Sequence, residues 1–260
     1  MALDLTGHRA LVTGAGQGVG RSIALGLAVA GAAVVVNDLD VDRAQGVVAE
    51  IEAEGGTGHA VAFDVTDFAA VRAGVEAAAA AVGPIDVLVN NAGNAGAAGF
   101  GSRAPFAETE PAEWEPFLRV NLYGVMNCCR AVLPGMIAGR WGRVVTIVSD
   151  AGRTGDPGGA AYSAAKAGAA GLTRALAREN GRHGITANNI SLGTMRTPAT
   201  EALWSEPLSD QAKAMLRTYV VRRPGTPDDV AALAVYLASD HASWVTGQTY
   251  PVNGGFSFAL

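Results

Sequence analysis

The chain has 260 residues, 49% of them hydrophobic and only 17% charged, with 34 glycines. That composition belongs to a compact α/β protein rather than a disordered or coiled-coil one, and the length suffices for one large core. A net charge of −5 with no run of Lys or Arg argues against nucleic acid or an anionic membrane as partner. The only cysteines, Cys128 and Cys129, are neighbours that cannot staple distant segments, which suits a reducing cytosol. Neither a CxxC nor a Cys–His spacing suggests a metal. The apolar stretches 85–89 and 144–148 are too short to span a bilayer. The first residues lack a basic region followed by an apolar one, so a cytoplasmic location is expected.

In chain order, residues 10–13 read as a short buried strand. It runs into Gly14-Ala15-Gly16-Gln17-Gly18-Val19-Gly20 and then a helix to about Ala30. Strand, glycine turn and helix form an entry for a dinucleotide. Glycines let the backbone turn tightly and approach a pyrophosphate, whose charge sits at the helix N-terminus. Gly14, Gln17, Gly18, Val19 and Gly20 are therefore candidate cofactor contacts. A second strand at 33–37 leads to Asp38, placed where a carboxylate accepts bonds from the adenosine ribose hydroxyls and repels a 2′-phosphate. This favours NAD over NADP. The competing reading is a helix N-cap or solvated turn, because Asp40 and Asp42 follow.

An amphipathic helix at 41–54, a strand at 58–63 with Asp64-Val65 at its tip, and an Ala-rich helix at 68–82 come next. A fourth strand, 86–90, is followed by Asn91-Ala92-Gly93. Near-continuous apolar strands alternating with helices imply a parallel sheet covered on both faces. Residues 110–137 hold a long helix with Asn121 near its middle, on a face otherwise lined by Phe117, Leu118, Val120 and Val125. Asn is a mediocre helix former, so it is either a satisfied core group or a site residue. Strands at 143–148, 185–190 and about 248–252 complete seven. Between the last two, residues 194–221 are irregular and then helical, with Met195, Leu203, Trp204 and Met215. An insertion there suits a substrate lid, although its apolar residues suit core packing or an oligomer contact equally. No repeat, charge block or linker divides the chain, so residues 1–260 read as one domain.

The densest stretch is 144–178. Ser149 ends a β-branched strand, a loop rich in Gly and Asp follows, and Tyr162 and Lys166 stand four apart near the start of an Ala-rich helix. Side chains at i and i+4 share a helical face. An ammonium there favours phenolate, lowering a pKa that is ordinarily about 10. With a hydroxyl donor alongside, this is chemistry for moving a proton on or off a C–O group. Taken alone, such a Tyr–Lys pair is more often a surface contact.

Together the motifs resemble the short-chain dehydrogenase/reductase family, over essentially the whole chain. They are Thr13-Gly14-xxx-Gly18-x-Gly20, Asn90-Asn91-Ala92-Gly93, Asn121, Ser149 and Tyr162-xxx-Lys166, with thirteen residues from serine to tyrosine. The resemblance implies a single-domain, doubly wound α/β Rossmann fold around a mostly parallel seven-stranded sheet. It implies Tyr162 as general acid or base and Ser149 as the group that orients and polarises the substrate oxygen. Lys166 binds the nicotinamide ribose and, assisted by the positive oxidised nicotinamide ring, lowers the tyrosine pKa, and Asn121 holds a water that links Lys166 to solvent for proton relay. Asp64 and Val65 flank adenine, Asn91, Ala92 and Gly93 line the cofactor, and Ile190 and Thr197 meet the nicotinamide carboxamide. Two departures from the family pattern are Leu192-Gly193 in place of Pro-Gly and Val148 in place of a serine.

Ser149-Asp150-Ala151-Gly152-Arg153, with residues 177–179 and 182–186, is similar to members that oxidise hydroxyacyl-CoA thioesters, including alicyclic ones. More generally it resembles the 3-oxoacyl-(acyl carrier protein) reductases. The expectation is an NAD-dependent dehydrogenase of a secondary alcohol, with a 3-hydroxyacyl-CoA or alicyclic hydroxyacyl-CoA as leading substrate. One alternative is an NADPH-linked 3-oxoacyl thioester reductase, which a basic residue at or beside position 38 would support. Another is a non-catalytic NAD(H)-binding regulator, against which the complete Asn–Ser–Tyr–Lys set stands. The long helices 111–137 and 159–181 fit the family's usual homotetramer.

Overall fold

The computed structural model describes residues 3–95 and 104–258. Seven short apolar segments become strands: β1 (Arg9–Val12), β2 (Ala33–Asp38), β3 (Thr57–Ala62), β4 (Val87–Asn90), β5 (Gly142–Ser149), β6 (Ile185–Leu192) and β7 (Thr249–Val252). They form one all-parallel sheet in the order β3-β2-β1-β4-β5-β6-β7. Parallel neighbours need crossovers, and helices supply them: α1 (Gly18–Val29), α2 (Val41–Ala53), α3 (Phe68–Val82), α4 (Pro111–Leu118), α5 (Gly124–Gly139), α6 (Ala151–Thr154), α7 (Ala160–Asn180), α8 (Asp210–Thr218) and α9 (Pro227–Ala238).

Successive strand residues feed opposite faces. Val12, Val34, Val36 and Val145 pack with Ile23 and Leu27 of α1 and Val230 and Ala234 of α9. Leu11, Val35, Leu88 and Val144 pack on the other face with Val71 of α3, Val132 of α5 and Ala169 of α7. This two-sided burial is why the strands read as continuous apolar runs. Strand order reverses between β1 and β4, and in such sheets the crevice beyond the carboxyl ends at that point is the binding place.

Local chemistry sets the helix ends. Asp40 caps α2 through the amides of Asp42 and Arg43, and Asp67 caps α3 through those of Ala69 and Ala70. The long helix expected over 110–137 is instead α4, a π-helical turn at Arg119–Tyr123, and α5. Asn121 lies in that turn and is fully buried. Its Nδ2 donates to the Phe117 carbonyl at 3.0 Å, pairing an acceptor in the last turn of α4.

At the opposite, amino end of the strands a polar cluster braces β1, β4 and β5. His8 stacks on Trp141 at 3.9 Å, and the Arg143 guanidinium lies 4.2 Å over the same indole. Arg9 pairs with Asp86 at 2.8 Å, and Arg143 with Asp240 at 3.1 Å. Among the described residues no helix is long and apolar enough to cross a membrane.

Candidate active site

The glycine turn between β1 and α1 is built for close approach. Gly14 and Gly18 hold φ of +60° and +56°, which other residues rarely adopt. A Cβ on Gly14 would sit 2.9 Å from the Ala92 Cα, and one on Gly20 would collide with the Gly14 carbonyl oxygen and Asn91 Nδ2. Gln17 precedes α1 without capping it, and the first turn carries no acid. The leading amides and the helix dipole therefore remain available for an anion. Thr13 Oγ1 accepts from the amides of Asn91 and Ala92, each at 3.1 Å. Asn91 Nδ2 donates to the carbonyls of Thr13 and Gly14, each at 2.9 Å. These bonds lock the ends of β1 and β4 side by side across the switch point.

Asp38, at the tip of β2, accepts from the Gly16 amide at 2.9 Å and from the Asp40 amide at 3.1 Å. The cap of α2 is Asp40, so the N-cap reading of Asp38 does not hold. Its carboxylate is fixed beside the glycine turn, with acceptor capacity to spare. A cleft of about 370 Å³ runs over these strand ends. Gly14, Gln17, Gly18, Val19 and Gly20 line it, as do Asp38, Asp64, Val65, Asn91, Ala92, Gly93 and Thr197. Thr197 reaches over the turn, its Cγ2 3.5 Å from where a Gly18 Cβ would lie. The glycine cradle, the uncapped helix and the acid at the second strand's tip fit a nicotinamide dinucleotide.

Sequence reasoning missed Asn37, Leu39, Phe63 and Val120, which also line the cleft, with Pro198 and Ala199 beyond Thr197. The first three flank strand-tip residues already singled out, which was the available signal. Ile190 is the opposite case. It is fully buried within β6, paired to Ile147 and Tyr250, and packs in the core beneath α1 and α9. Strand alternation points its side chain into that layer, so it does not line the cleft.

The remaining candidates gather where the cleft reaches Gly93. A Cβ on Gly93 would lie 2.9 Å from Asn121 Oδ1 and 3.3 Å from Lys166 Nζ, so glycine alone leaves this junction open. Asn121 Nδ2 also donates to the Asn94 carbonyl at 2.9 Å, while its Oδ1 accepts from the Asn94 amide at 3.2 Å. Lys166 is 5% exposed, and Nζ donates to the Ile147 carbonyl at 3.0 Å. Burial pushes its pKa down to about 8. Tyr162 lies on the same face of α7, with Nζ 5.9 Å from its ring centroid and Phe117 edge-on at 6.3 Å. Ser149 Oγ accepts from the Ala151 amide at 3.2 Å, and its hydroxyl lies close enough to Tyr162 to favour the phenolate.

The protein's own groups around Tyr162, taken without the nicotinamide ring, set its phenol in the other direction. Burial raises the phenol above its usual value, the Ser149 hydroxyl pulls part of it back, and Asp156 adds to the rise. The lysine ammonium donates to the Ile147 carbonyl and lies 5.9 Å from the tyrosine ring centroid.

A parallel sheet with a phosphate-type glycine turn at its switch point, and a Ser–Tyr–Lys–Asn cluster at the far end of the cleft, defines an α/β oxidoreductase that binds a nicotinamide dinucleotide. Residues 14–257 match the family described as "Enoyl-(Acyl carrier protein) reductase". The chain belongs to the short-chain dehydrogenase/reductase family. It is 40% identical over 247 residues to "3-oxoacyl-[acyl-carrier-protein] reductase FabG" of Staphylococcus epidermidis, covering 95% of this chain and 97% of the relative. It is 40% identical over 250 residues to "(2S)-[(R)-hydroxy(phenyl)methyl]succinyl-CoA dehydrogenase subunit BbsD" of Thauera aromatica, covering 95% and 96%. A crystal structure of a gluconate 5-dehydrogenase from Burkholderia cenocepacia in complex with NADP and tartrate superposes with a TM-score of 0.90. That match is 36% identical and covers 100% of this chain and 98% of the other.

Proposed function

We propose that the protein is an NAD-linked dehydrogenase that interconverts a secondary alcohol and a ketone on an acyl thioester, with a hydroxyacyl-CoA as substrate. The observation that carries the reading is the junction at Gly93. There Asn121 and Lys166 meet the end of a cleft whose other end presents the Asp38 carboxylate. The nicotinamide, when bound, supplies the hydride acceptor for the carbinol carbon. Tyr162 takes the hydroxyl proton in oxidation and returns it in reduction. Ser149 holds the oxygen as it becomes a carbonyl, and its hydroxyl beside Tyr162 favours the phenolate. Lys166 binds the ribose, and Asn121 holds the water through which the proton leaves. Asp38 accepts from the adenosine ribose and repels a 2′-phosphate, which supports NAD.

Two relatives support the thioester: one is named for a 3-oxoacyl group on a carrier protein, the other for a hydroxyacyl-CoA. A second reading, an NADPH-linked 3-oxoacyl thioester reductase, draws support from the first of these names and from the NADP in the gluconate 5-dehydrogenase structure. Residues 194–221 serve in our reading as the substrate cover. Met195 and Trp204 are buried packing that anchors it. A cytoplasmic homotetramer is the expected assembly. The deciding experiment measures initial rates with NAD and with NADP on hydroxyacyl-CoAs, cyclic hydroxyacyl-CoAs, sugar acids and simple alcohols, and on oxoacyl thioesters with NADH and NADPH. NAD-linked oxidation of a hydroxyacyl-CoA supports the proposal, whereas turnover confined to sugar acids or simple alcohols overturns its substrate. A strict demand for NADPH moves the reductase forward.

A further inference from the structure

We propose that Asp150 is a positioning residue for Ser149, fixing the serine by tying its turn to the C-terminal segment 253–257. The inference rests on the reading of Ser149 and Tyr162 as the proton-handling pair. Asp150 directly follows Ser149 and is 3% exposed. Its carboxylate accepts from Ser191 Oγ at 2.6 Å, Asn253 Nδ2 at 2.5 Å and Ser257 Oγ at 2.9 Å, and pairs with Arg153 at 3.0 Å. Its amide donates to the Leu192 carbonyl at 3.0 Å, and its own carbonyl accepts from the amides of Arg153 and Thr154 at 2.8 Å. Every polar group of the residue is committed, so the peptide that carries Ser149 has little freedom to turn.

The far side of the tie is equally defined. Arg153 donates to Ser257 Oγ at 2.9 Å and to the Phe258 carbonyl at 2.8 Å. Gly152 lies against the α7 backbone, where a Cβ would be 2.8 Å from the Ala167 amide nitrogen and 3.1 Å from Lys166 Cβ. The clamp therefore braces α6 between the C-terminal segment and the helix that carries Tyr162 and Lys166. A buried carboxylate is a weak device for stability, since well-packed apolar groups often serve as well. Its placement beside the serine is what a positioning role needs. The charged groups around the pair are Lys166 and Asp156 near Tyr162, and Arg153 at Asp150.

The test is Asp150→Asn, which keeps the volume but sets an amide donor against Asn253 and Arg153. Two readouts decide it. The first is the pKa of Tyr162, read as the ultraviolet tyrosinate titration of each protein minus that of its Tyr162→Phe counterpart; it needs no substrate. A loosened Ser149 holds the phenolate less well, so this pKa should rise in the variant. The second is turnover of the best substrate, expected to fall about ten- to a hundredfold with NADH affinity unchanged. In a Ser149→Ala background the same substitution should do nothing further to either readout. An unshifted Tyr162 pKa in Asp150→Asn, or an equal loss with and without Ser149, overturns the proposal. If Asp150→Asn does not fold, Ser257→Ala removes one of the four carboxylate partners and should move both readouts the same way by less. A Ser149→Ala protein as active as the wild type would instead refute the reading of Ser149 itself.

Discussion

The two ends of the sheet are built from similar residue types to opposite purposes. At the amino end, His8, Arg9, Asp86, Trp141, Arg143 and Asp240 form stacked and oppositely charged pairs. Arg143, 2% exposed, also donates to the carbonyls of Ser239, Gly142 and Gly184. At the carboxyl end, Lys166 is buried with a carbonyl for partner, burial raises the Tyr162 pKa, and the first amides of α1 have no side-chain cap. Satisfied polar groups contribute to stability, whereas buried groups with shifted pKa values cluster where chemistry is done. Activity and stability should therefore separate along the strands.

The largest expected effect is at the reactive end. Tyr162→Phe should lower kcat by about 10² to 10⁴-fold while NADH still binds, because only the proton route is removed. Stopped-flow turnover and NADH fluorescence check this, and a near-normal rate would break the contrast. Next, Lys166→Met should lose turnover yet melt higher at pH 7. The wild-type lysine has a folded pKa of about 8 against 10.5 when unfolded, so between these values the unfolded chain binds more protons. Wild-type stability from this group is thus lower below pH 8 by about 3 kcal/mol and recovers as pH rises toward 10. Melting both proteins at pH 7 and pH 9.5 should show the gap closing; a gap that widens would contradict it.

At the other end, Arg143→Met should cost about 2 kcal/mol of stability by leaving buried carbonyls unpaired, with kcat per folded molecule unchanged. Denaturant melts alongside rate measurements test that, and a loss of kcat without a loss of stability would erase the distinction between the ends. The smallest effect sharpens the cofactor half of the cleft. Asp38→Ala should reduce the kcat/KM preference for NAD over NADP by about tenfold, equivalent to about 1.4 kcal/mol. Unchanged selectivity would mean that another group reads the ribose.

What was legible in the sequence was local. Strand, glycine turn and helix around Gly14 depend on neighbours within a few residues, and the Tyr162–Lys166 spacing fixes a shared helical face. What escaped depends on partners far along the chain or on a change of helical period. Asp150 read only as part of the loop after Ser149, because its partner Asn253 is 103 positions away. The stacking of His8 on Trp141 is equally remote. Ile190 was misplaced because a motif position does not say which face of a buried strand it occupies. The burial of Lys166 and its bond to the Ile147 carbonyl were not legible either, because strand β5 supplies that carbonyl from 19 positions away.

The π-helical turn at Arg119–Tyr123 has an evolutionary corollary. Such a turn arises when one residue is inserted into an α-helix, so its hydrogen-bond ladder and everything after it shift by a residue. Removing residue 119 or 120 would heal α4 and α5 into one regular helix and shift Asn121 by one position away from Gly93 and Lys166. The position of this side chain is thus inherited as a length as well as an identity. Across descendants of this gene, indels here should be scarcer than substitutions at the neighbouring exposed positions Arg119 and Tyr123.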